Sequence, residues 1–93
     1  MTFGSKLQGY SISWKQSATK DLKLIPVGQV KNIEAKISKI AQGDSSLDIL
    51  KLKGCFDMPT YRLRVGDYRV IFEVHEYEII ILIVAVKHRK NAY

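Results

Sequence analysis

Alternating hydrophobic and polar positions between residues 61 and 74 predict a β-hairpin. Two alternating runs, 61–65 and 68–74, flank Gly66-Asp67. Glycine at the first turn position suits a type II′ turn, whose twist matches that of the strands. A two-residue loop places Arg64 opposite Arg69, and such partners share a face of the sheet. One face then carries Tyr61, Leu63, Val65, Tyr68, Val70 and Phe72, and the other carries Arg62, Arg64 and Arg69.

The apolar face of this hairpin is typical of a core, whereas its arginine face is unusual for a sheet. Two arginines directly opposite each other repel, at a cost of roughly a few tenths of a kcal/mol. A sheet built only for stability would place a carboxylate there. We therefore expect this face to bind an anion, although Glu73, on the same face, offers Arg69 the alternative of a simple ion pair.

The first half of the chain predicts one strand and two helices. Residues 10–14 alternate and predict a short strand with Tyr10, Ile12 and Trp14 on one face. Ser17 is a candidate N-cap for a helix that ends near residue 24. A second helix is expected over about residues 28–42, since apolar residues recur there at helical spacing, and Gly43 suits its C-terminus.

The second half adds strands and completes the fold class. Residues 44–60 are irregular, and residues 78–86 are strongly β-branched, apolar from Ile79 onward, as expected of a central strand covered on both faces. The predicted fold is α+β: a small twisted antiparallel sheet, made of the N-terminal strand plus a C-terminal three-strand meander, packed on an N-terminal helical hairpin. Residues 1–93 are expected to form one domain, with residues 1–9 as a flexible leader.

Composition narrows the class of partner. The chain has 93 residues and a net charge of +6, which favours an anionic partner such as nucleic acid or an acidic protein, with a merely solubilising surface as the alternative. Cys55, the lone cysteine, cannot form an internal disulfide and fits a reducing cytoplasm. The longest apolar run, 79–86, is too short to span a membrane, and no signal peptide is apparent. No cofactor or metal site is predicted, because His75 and His88 lack suitably spaced ligand partners.

The basic tail completes a candidate phosphate site. The last strand should pair antiparallel with the strand of Arg69, so the tail residues His88, Arg89 and Tyr93 are expected near the hairpin arginines. Arginine forks hold phosphodiesters, histidine transfers protons near neutral pH, and a tyrosine ring can stack on an unpaired base. Further RNA contacts are expected from the flanking lysines, which are Lys51, Lys53, Lys87 and Lys90.

These motifs resemble those of the RelE/ParE superfamily of bacterial toxins. The resemblance is carried by Tyr61-Arg-Leu-Arg-Val-Gly-Asp-Tyr-Arg-Val-Ile-Phe-Glu-Val74, by Val86-Lys-His-Arg-Lys-Asn-Ala-Tyr93 and by Lys51-Leu-Lys-Gly54. RelE-type members are metal-independent endoribonucleases that cut mRNA in the ribosomal A site. The resemblance thus implies a toxin of a type II toxin–antitoxin system. It also implies a cognate acidic antitoxin, encoded alongside, in an oligomeric complex that binds operator DNA through the antitoxin.

The resemblance also implies roles for the site residues. Arg69 would stabilise the phosphate in the transition state, Arg89 would neutralise or protonate the leaving oxygen, and Tyr93 would stack on the mRNA base. Arg62 and Arg64 stand where some RelE members carry lysines, one of them a proposed base. Because arginine is essentially always protonated, His88 becomes the preferred general base or acid.

Two other functions fit the same residues. A ParE-like protein would share the fold and poison DNA gyrase, and a binding module would grip RNA or the ribosome without cutting. The combination of hairpin arginines with His88, Arg89 and Tyr93 favours the RelE-type activity.

Overall fold

The structure, a computed structural model, describes residues 6–54 and 56–90. In chain order the elements are β1 (Ser11–Trp14), α1 (Gln16–Leu22), α2 (Val27–Ala41), β2 (Ile49–Lys51), β3 (Thr60–Val65), β4 (Tyr68–His75) and β5 (Ile80–His88). The five strands form one sheet in the order β1-β5-β4-β3-β2. This arrangement confirms the predicted α+β fold, with its meander (β3, β4 and β5) and its N-terminal helical hairpin.

Two features of the sheet differ from the sequence-based expectation. β1 runs parallel to β5, so the sheet is mixed rather than wholly antiparallel. Residues 49–51, in the segment expected to be irregular, pair with β3 as a short edge strand. A strand of three residues is too short to show an alternating pattern, and strand direction depends on how the helices return the chain to the sheet.

The hairpin has the predicted register. Arg64 lies opposite Arg69 and Val65 lies opposite Tyr68. Gly66 takes φ = +57°, as the first position of a type II′ turn requires, and a side chain there would be strained. We call the sheet face that carries Arg62, Arg64 and Arg69 the arginine face, and the opposite face, packed on α1 and α2, the helix face.

The core lies between the two helices and the helix face. It contains the predicted α2 stripe, of which Ile33, Ile37 and Ile40 are buried, and it is completed by Leu7, Ala18, Leu63, Val65, Val70, Phe72, Val74, Ile81, Ile83 and Val86. No helix among the described residues has the length and apolar character needed to cross a membrane.

The expectation of a flexible leader is wrong for its described part. Leu7 is only 2% exposed and belongs to the core, and the backbone N–H of Gly9 donates to the carbonyl of Ala41 over 2.9 Å. Leu7 lies in a polar stretch, so no periodic pattern marks it, yet its side chain fills the end of the core beside α2. Residues 1–5 lie outside the described residues.

The ends of the helices were predicted with mixed success. Gly43 terminates α2 as expected: its N–H donates to Ile40, and the next N–H, of Asp44, donates to Lys39. The predicted N-cap, Ser17, is instead the second residue of α1, which begins at Gln16 after Lys15. The Ser17 hydroxyl donates to the carbonyl of Val84, at 2.7 Å, and so joins α1 to β5.

β5 is the predicted central strand, flanked by β1 and β4. A β-bulge interrupts its pairing with β4, because Ile71 pairs with Ala85 while Phe72 pairs with Ile83, which leaves Val84 without an opposite residue. Both faces were expected to be covered, one by the helices and the other by a loop, a curled sheet or a partner. The helices cover one face, and on the arginine face Leu82 and Ala85 are partly exposed.

Candidate functional site

A row of cationic positions crosses three strands on the arginine face. Arg64 on β3 lies opposite Arg69 on β4, and Arg69 in turn lies opposite Lys87 on β5. Neighbouring cations repel each other across each pair. A bound anion would reduce this repulsion, so the geometry and the charge of the row favour an anionic ligand.

The three cations of this row differ in how they are already paired. The Lys87 ammonium lies 3.0 Å from Oδ1 of Asp21, whose side chain is 13% exposed. The Arg69 guanidinium donates through Nη1 to two carbonyls, those of Gly66 and Tyr68. Arg64 is exposed and forms no ion pair with any described carboxylate. Arg64 and Arg69 therefore keep uncompensated charge, whereas that of Lys87 is balanced.

The hairpin turn brings Arg89 next to Arg69. The N–H of Arg89 donates to the carbonyl of Asp67 over 2.6 Å, and Nε of Arg89 lies 3.6 Å from Oδ1 of the same aspartate. Since Arg69 is bonded to Gly66, the preceding turn residue, the two guanidinium groups are held at one turn. Of the tail residues expected near the hairpin arginines, Arg89 therefore lies at the hairpin turn; we call Arg64, Arg69 and Arg89 the arginine cluster.

Arg62 lies on the arginine face but forms an ion pair with Asp48. Its Nη2 donates to Oδ1 of Asp48 over 3.3 Å, and its side chain is 20% exposed. Its Nε is buried and has no hydrogen-bond partner among the described residues. The carbonyl of Asp48 also accepts from the N–H of Arg64, so Asp48 ties the start of β2 to β3. This partly engaged guanidinium is less free for a ligand than that of Arg64.

The alternative ion pair between Glu73 and Arg69 does not form. Glu73 lies 2.9 Å from Nε2 of His75, two residues further along β4. The acid that does reach β5 is Asp21 on α1, whose carboxylate accepts hydrogen bonds from Val86 and Lys87. No role was predicted for this residue from the sequence. As an acid between Lys20 and Lys23 it could have attracted notice, but nothing in the sequence shows that α1 lies against β5.

His88 is not brought onto the arginine face. It pairs with Tyr68, and the two rings meet edge to face with centroids 5.4 Å apart on the helix face. There it lines a groove of about 490 Å³ between the hairpin and the end of α1, together with Leu24 and Ile25. Its Nδ1 accepts from the N–H of Lys90 over 3.3 Å.

The β-bulge at Val84 is the physical reason for this placement. Before the bulge Ile81 and Ile83 face the helices, whereas after it Val86 and His88 do. Without the extra residue, alternation would put His88 on the arginine face and Lys87 on the helix face. Because β5 is apolar on both faces, the sequence gives no sign of this change of parity.

The remaining predicted site residues are dispersed. Lys51 pairs with Tyr61 near the other end of β3, Lys53 lies in the β2–β3 loop, and Lys90 is exposed after β5. Tyr93 and Cys55 lie outside the described residues. Within the two described ranges, no group of three or more His, Cys, Asp or Glu side chains is placed to hold a metal ion.

Fold and site together define a small α+β protein that presents an arginine cluster at one edge of its sheet. The family described as "ParE toxin of type II toxin-antitoxin system, parDE" matches residues 12–93. A relative named Toxin RelE3, from Methanocaldococcus jannaschii, is 36% identical over 86 residues, which cover 88% of this chain and 93% of the relative. The chain therefore belongs to the RelE/ParE superfamily of toxins of type II toxin–antitoxin systems, and the resemblance expected from its motifs is confirmed.

Solved structures agree with this assignment. The archaeal RelE–RelB complex from Pyrococcus horikoshii OT3 matches with a TM-score of 0.71 and 28% identity, over 91% of this chain and 100% of that one. The RelB–RelE complex from Methanococcus jannaschii matches with a TM-score of 0.69 and 33% identity, over 84% of this chain and 91% of that one. A RelE mutant from E. coli, 16% identical with a TM-score of 0.69, shares the fold.

Proposed function

We propose that this toxin is a ribosome-dependent, metal-independent endoribonuclease that cleaves mRNA in the ribosomal A site and thereby inhibits translation in the cytoplasm. The observation that carries the proposal is the arginine cluster: Arg64 and Arg69 are directly opposed with no described carboxylate between them, and Arg89 is held at the same turn. Three guanidinium groups at one edge favour a phosphodiester, whose oxygens accept paired hydrogen bonds from such forks.

The chemistry needs only the RNA and these side chains. The 2′-hydroxyl oxygen attacks the adjacent phosphorus, the bond from phosphorus to the 5′-oxygen breaks, and a 2′,3′-cyclic phosphate remains. One proton leaves the 2′-hydroxyl and one is delivered to the 5′-oxygen. Arg64 and Arg69 would stabilise the charge on the phosphoryl oxygens, and Arg89 would neutralise the leaving oxygen. Tyr93 would stack on the base beside the scissile phosphate.

Proton transfer is proposed for His88, since arginine cannot act as a base. His88 lies on the helix face, across the sheet from Arg64 and Arg69, and the pH dependence of cleavage decides whether it acts on the same phosphate. A His88→Gln variant tests it: loss of one limb of the pH–rate profile supports the role, and an unchanged profile contradicts it.

The proposed partner is a cognate antitoxin. The matching RelE proteins from P. horikoshii and M. jannaschii form complexes with RelB. An acidic antitoxin would complement the net charge of +6, and we infer an oligomeric complex that binds operator DNA through the antitoxin.

The test is cleavage of mRNA on programmed ribosomes, followed by primer extension. We expect cuts within the A-site codon and a cyclic phosphate at the new end. Full activity is expected when EDTA is added with magnesium in excess over the chelator, so that the ribosomes stay intact. Arg69→Ala should lower the rate roughly 100- to 1000-fold, as loss of one transition-state donor does. Lys39→Ala, which removes a cation from the exposed side of α2, is the matched control and should leave the rate unchanged.

The matched ParE family supports a second candidate, a DNA gyrase poison. Intact mRNA together with gyrase-linked DNA breaks would establish that function instead. Tight ribosome association without any cut product would identify a binding module.

A further inference from the structure

The β2–β3 loop exposes an aromatic ring beside lysines, outside the arginine cluster. Phe56 is 49% exposed, although loops usually place phenylalanine inward. Its ring rests on Gly54, where a Cβ would come within 3.4 Å of the ring edge. Gly54 therefore lies against one edge of the ring, and about half of the Phe56 surface stays exposed.

A shallow pocket lies next to this ring. It has a volume of about 290 Å³, and its lining includes Lys51, Asp57, Met58 and Pro59 together with Phe56. This volume is at the lower end for a ligand site, which suits one flat ring better than an extended small molecule. Lys53, exposed in the same loop, adds a second cation nearby.

The position of the loop connects it with the arginine cluster. β3 begins at Thr60, at the end of this loop, and carries Arg62 and Arg64 toward the hairpin turn. Four residues of strand separate Thr60 from Arg64, which is about 13 Å at ~3.3 Å per residue. An extended single strand whose phosphate is held at Arg64 and Arg69 reaches the loop within a few nucleotides. It must pass around the end of the sheet, because Lys51, opposite Tyr61, lies on the helix face.

We propose that Phe56 and its pocket form a base-stacking subsite for an unpaired nucleotide of the RNA, a few nucleotides from the scissile phosphate; this rests on the proposed function. The ring supplies a stacking surface for any base. Lys51 and Lys53 attract the phosphates on either side of that base. The carboxylate of Asp57, which is exposed, repels phosphate and can accept a hydrogen bond from an amino group of the base.

The test combines Phe56 variants with mRNAs that lack one base. Programmed ribosomes carry mRNAs with a single abasic nucleotide at successive positions around the cut. For the unaltered toxin we expect one position, separate from the cut step, at which base removal lowers kcat/KM roughly 5- to 150-fold, the range for a lost stacking contact. Phe56→Ala should cause the same loss on intact mRNA, and the two losses should not add.

The controls separate stacking from folding and from general hydrophobicity. Phe56→Trp should keep full activity, whereas Phe56→Leu should behave as Phe56→Ala does, because leucine is apolar but has no ring. Val27→Ala removes another exposed apolar side chain, 71% exposed at the start of α2, and should change nothing. Thermal unfolding of each variant excludes a folding defect.

The outcomes distinguish this proposal from the proposed function. If the unaltered toxin cuts mRNA but the Phe56→Ala and abasic effects add at every position, the subsite is wrong and the proposed function stands. If Phe56→Ala leaves cleavage unchanged and weakens antitoxin binding, the loop is a protein-docking surface and the subsite is again wrong. If the unaltered toxin cuts no mRNA, both proposals fail.

Discussion

At the scale of single residues, the opposed charges of the arginine cluster lower the stability of the sheet and leave two cations available to bind an anion. Arg64 and Arg69 face each other across the hairpin with no carboxylate partner among the described residues, while the acids on nearby positions, Asp48 and Glu73, pair elsewhere. The sequence predicted this opposition correctly, since the two-residue turn determines the register and both arginines lie within five positions of each other. It could not predict which acids would be diverted.

Replacement of Arg64 by glutamate should separate stability from function. Arg64→Glu converts a repulsive cross-strand pair into an attractive one, so we expect the free energy of unfolding to rise by roughly 0.5–1 kcal/mol. The same change should abolish the proposed mRNA cleavage, because it puts an anion at the proposed phosphate site. Urea unfolding and ribosome-programmed cleavage measure the two effects. Arg64→Lys is the matched control, with unchanged stability; a fall in stability for Arg64→Glu would contradict the opposed-cation argument.

Asp67 is expected to position Arg89. The pair is exposed, 57% for Arg89 and 63% for Asp67, so Asp67→Asn should change stability by less than about 0.5 kcal/mol. Asparagine preserves the turn but removes the charge that holds the guanidinium. We therefore expect kcat to fall up to about tenfold with little change in KM, if Arg89 acts in the transition state. A rise in KM alone would show that the contact serves binding only.

At the scale of elements, side chains of α1 form hydrogen bonds with the part of β5 that β1 does not cover. β1 pairs with β5 only as far as Ile83. The last hydrogen bond between them is donated by the N–H of Lys15 to the carbonyl of Ile83. Beyond that point side chains of α1 bond to the backbone of β5. The Ser17 hydroxyl donates to the carbonyl of Val84, and Oδ2 of Asp21 accepts from the N–H of Val86 over 2.9 Å. Two side chains one helical turn apart thus satisfy backbone groups that β1 cannot reach.

Loss of the Asp21 carboxylate should open this edge. Asp21→Ala leaves the Val86 N–H and the Lys87 ammonium without their partner, and we expect a loss of about 1–3 kcal/mol in the free energy of unfolding. Lys87→Met removes only the ion pair, since Lys87 is 44% exposed, and should cost less than about 1 kcal/mol. Urea titration compares the two, and amide exchange at Val86 should accelerate in Asp21→Ala alone. Equal costs for both variants would show that the ion pair, and not the backbone bond, matters.

At the scale of the whole molecule, the core extends into the segment expected to be a leader. Leu7 packs with α2 and the sheet although it precedes the first strand. The domain that folds therefore includes at least residues 6–9, and a shortened chain that begins at Tyr10 would lack part of its core.

A pair of identical substitutions tests the extent of the domain. Leu7→Ala removes a side chain that is 2% exposed and should lower the free energy of unfolding by about 2–4 kcal/mol. Leu24→Ala makes the same chemical change at a side chain that is 86% exposed and should alter stability by less than about 0.5 kcal/mol. Urea unfolding measures both, and equal stability of the two variants would show that the N-terminal segment does not contribute to the core.

The sequence by itself determined the features that depend on near neighbours. The hairpin register follows from a two-residue turn with glycine first, and the buried side of α2 follows from the spacing of Ile33, Ile37 and Ile40. Both rest on periodicities of two and 3.6 residues, which are written directly in the order of residues.

Only the tertiary structure decided the features that join distant segments or change parity. These are the parallel pairing of β1 with β5, the burial of Leu7 and the contact of Asp21 with Val86. The bulge at Val84 is the clearest case: in a strand that is apolar on both faces, one extra residue leaves no trace in the pattern. It nevertheless turns Lys87 toward the arginines and His88 away from them, because side chains on a strand alternate with a period of two.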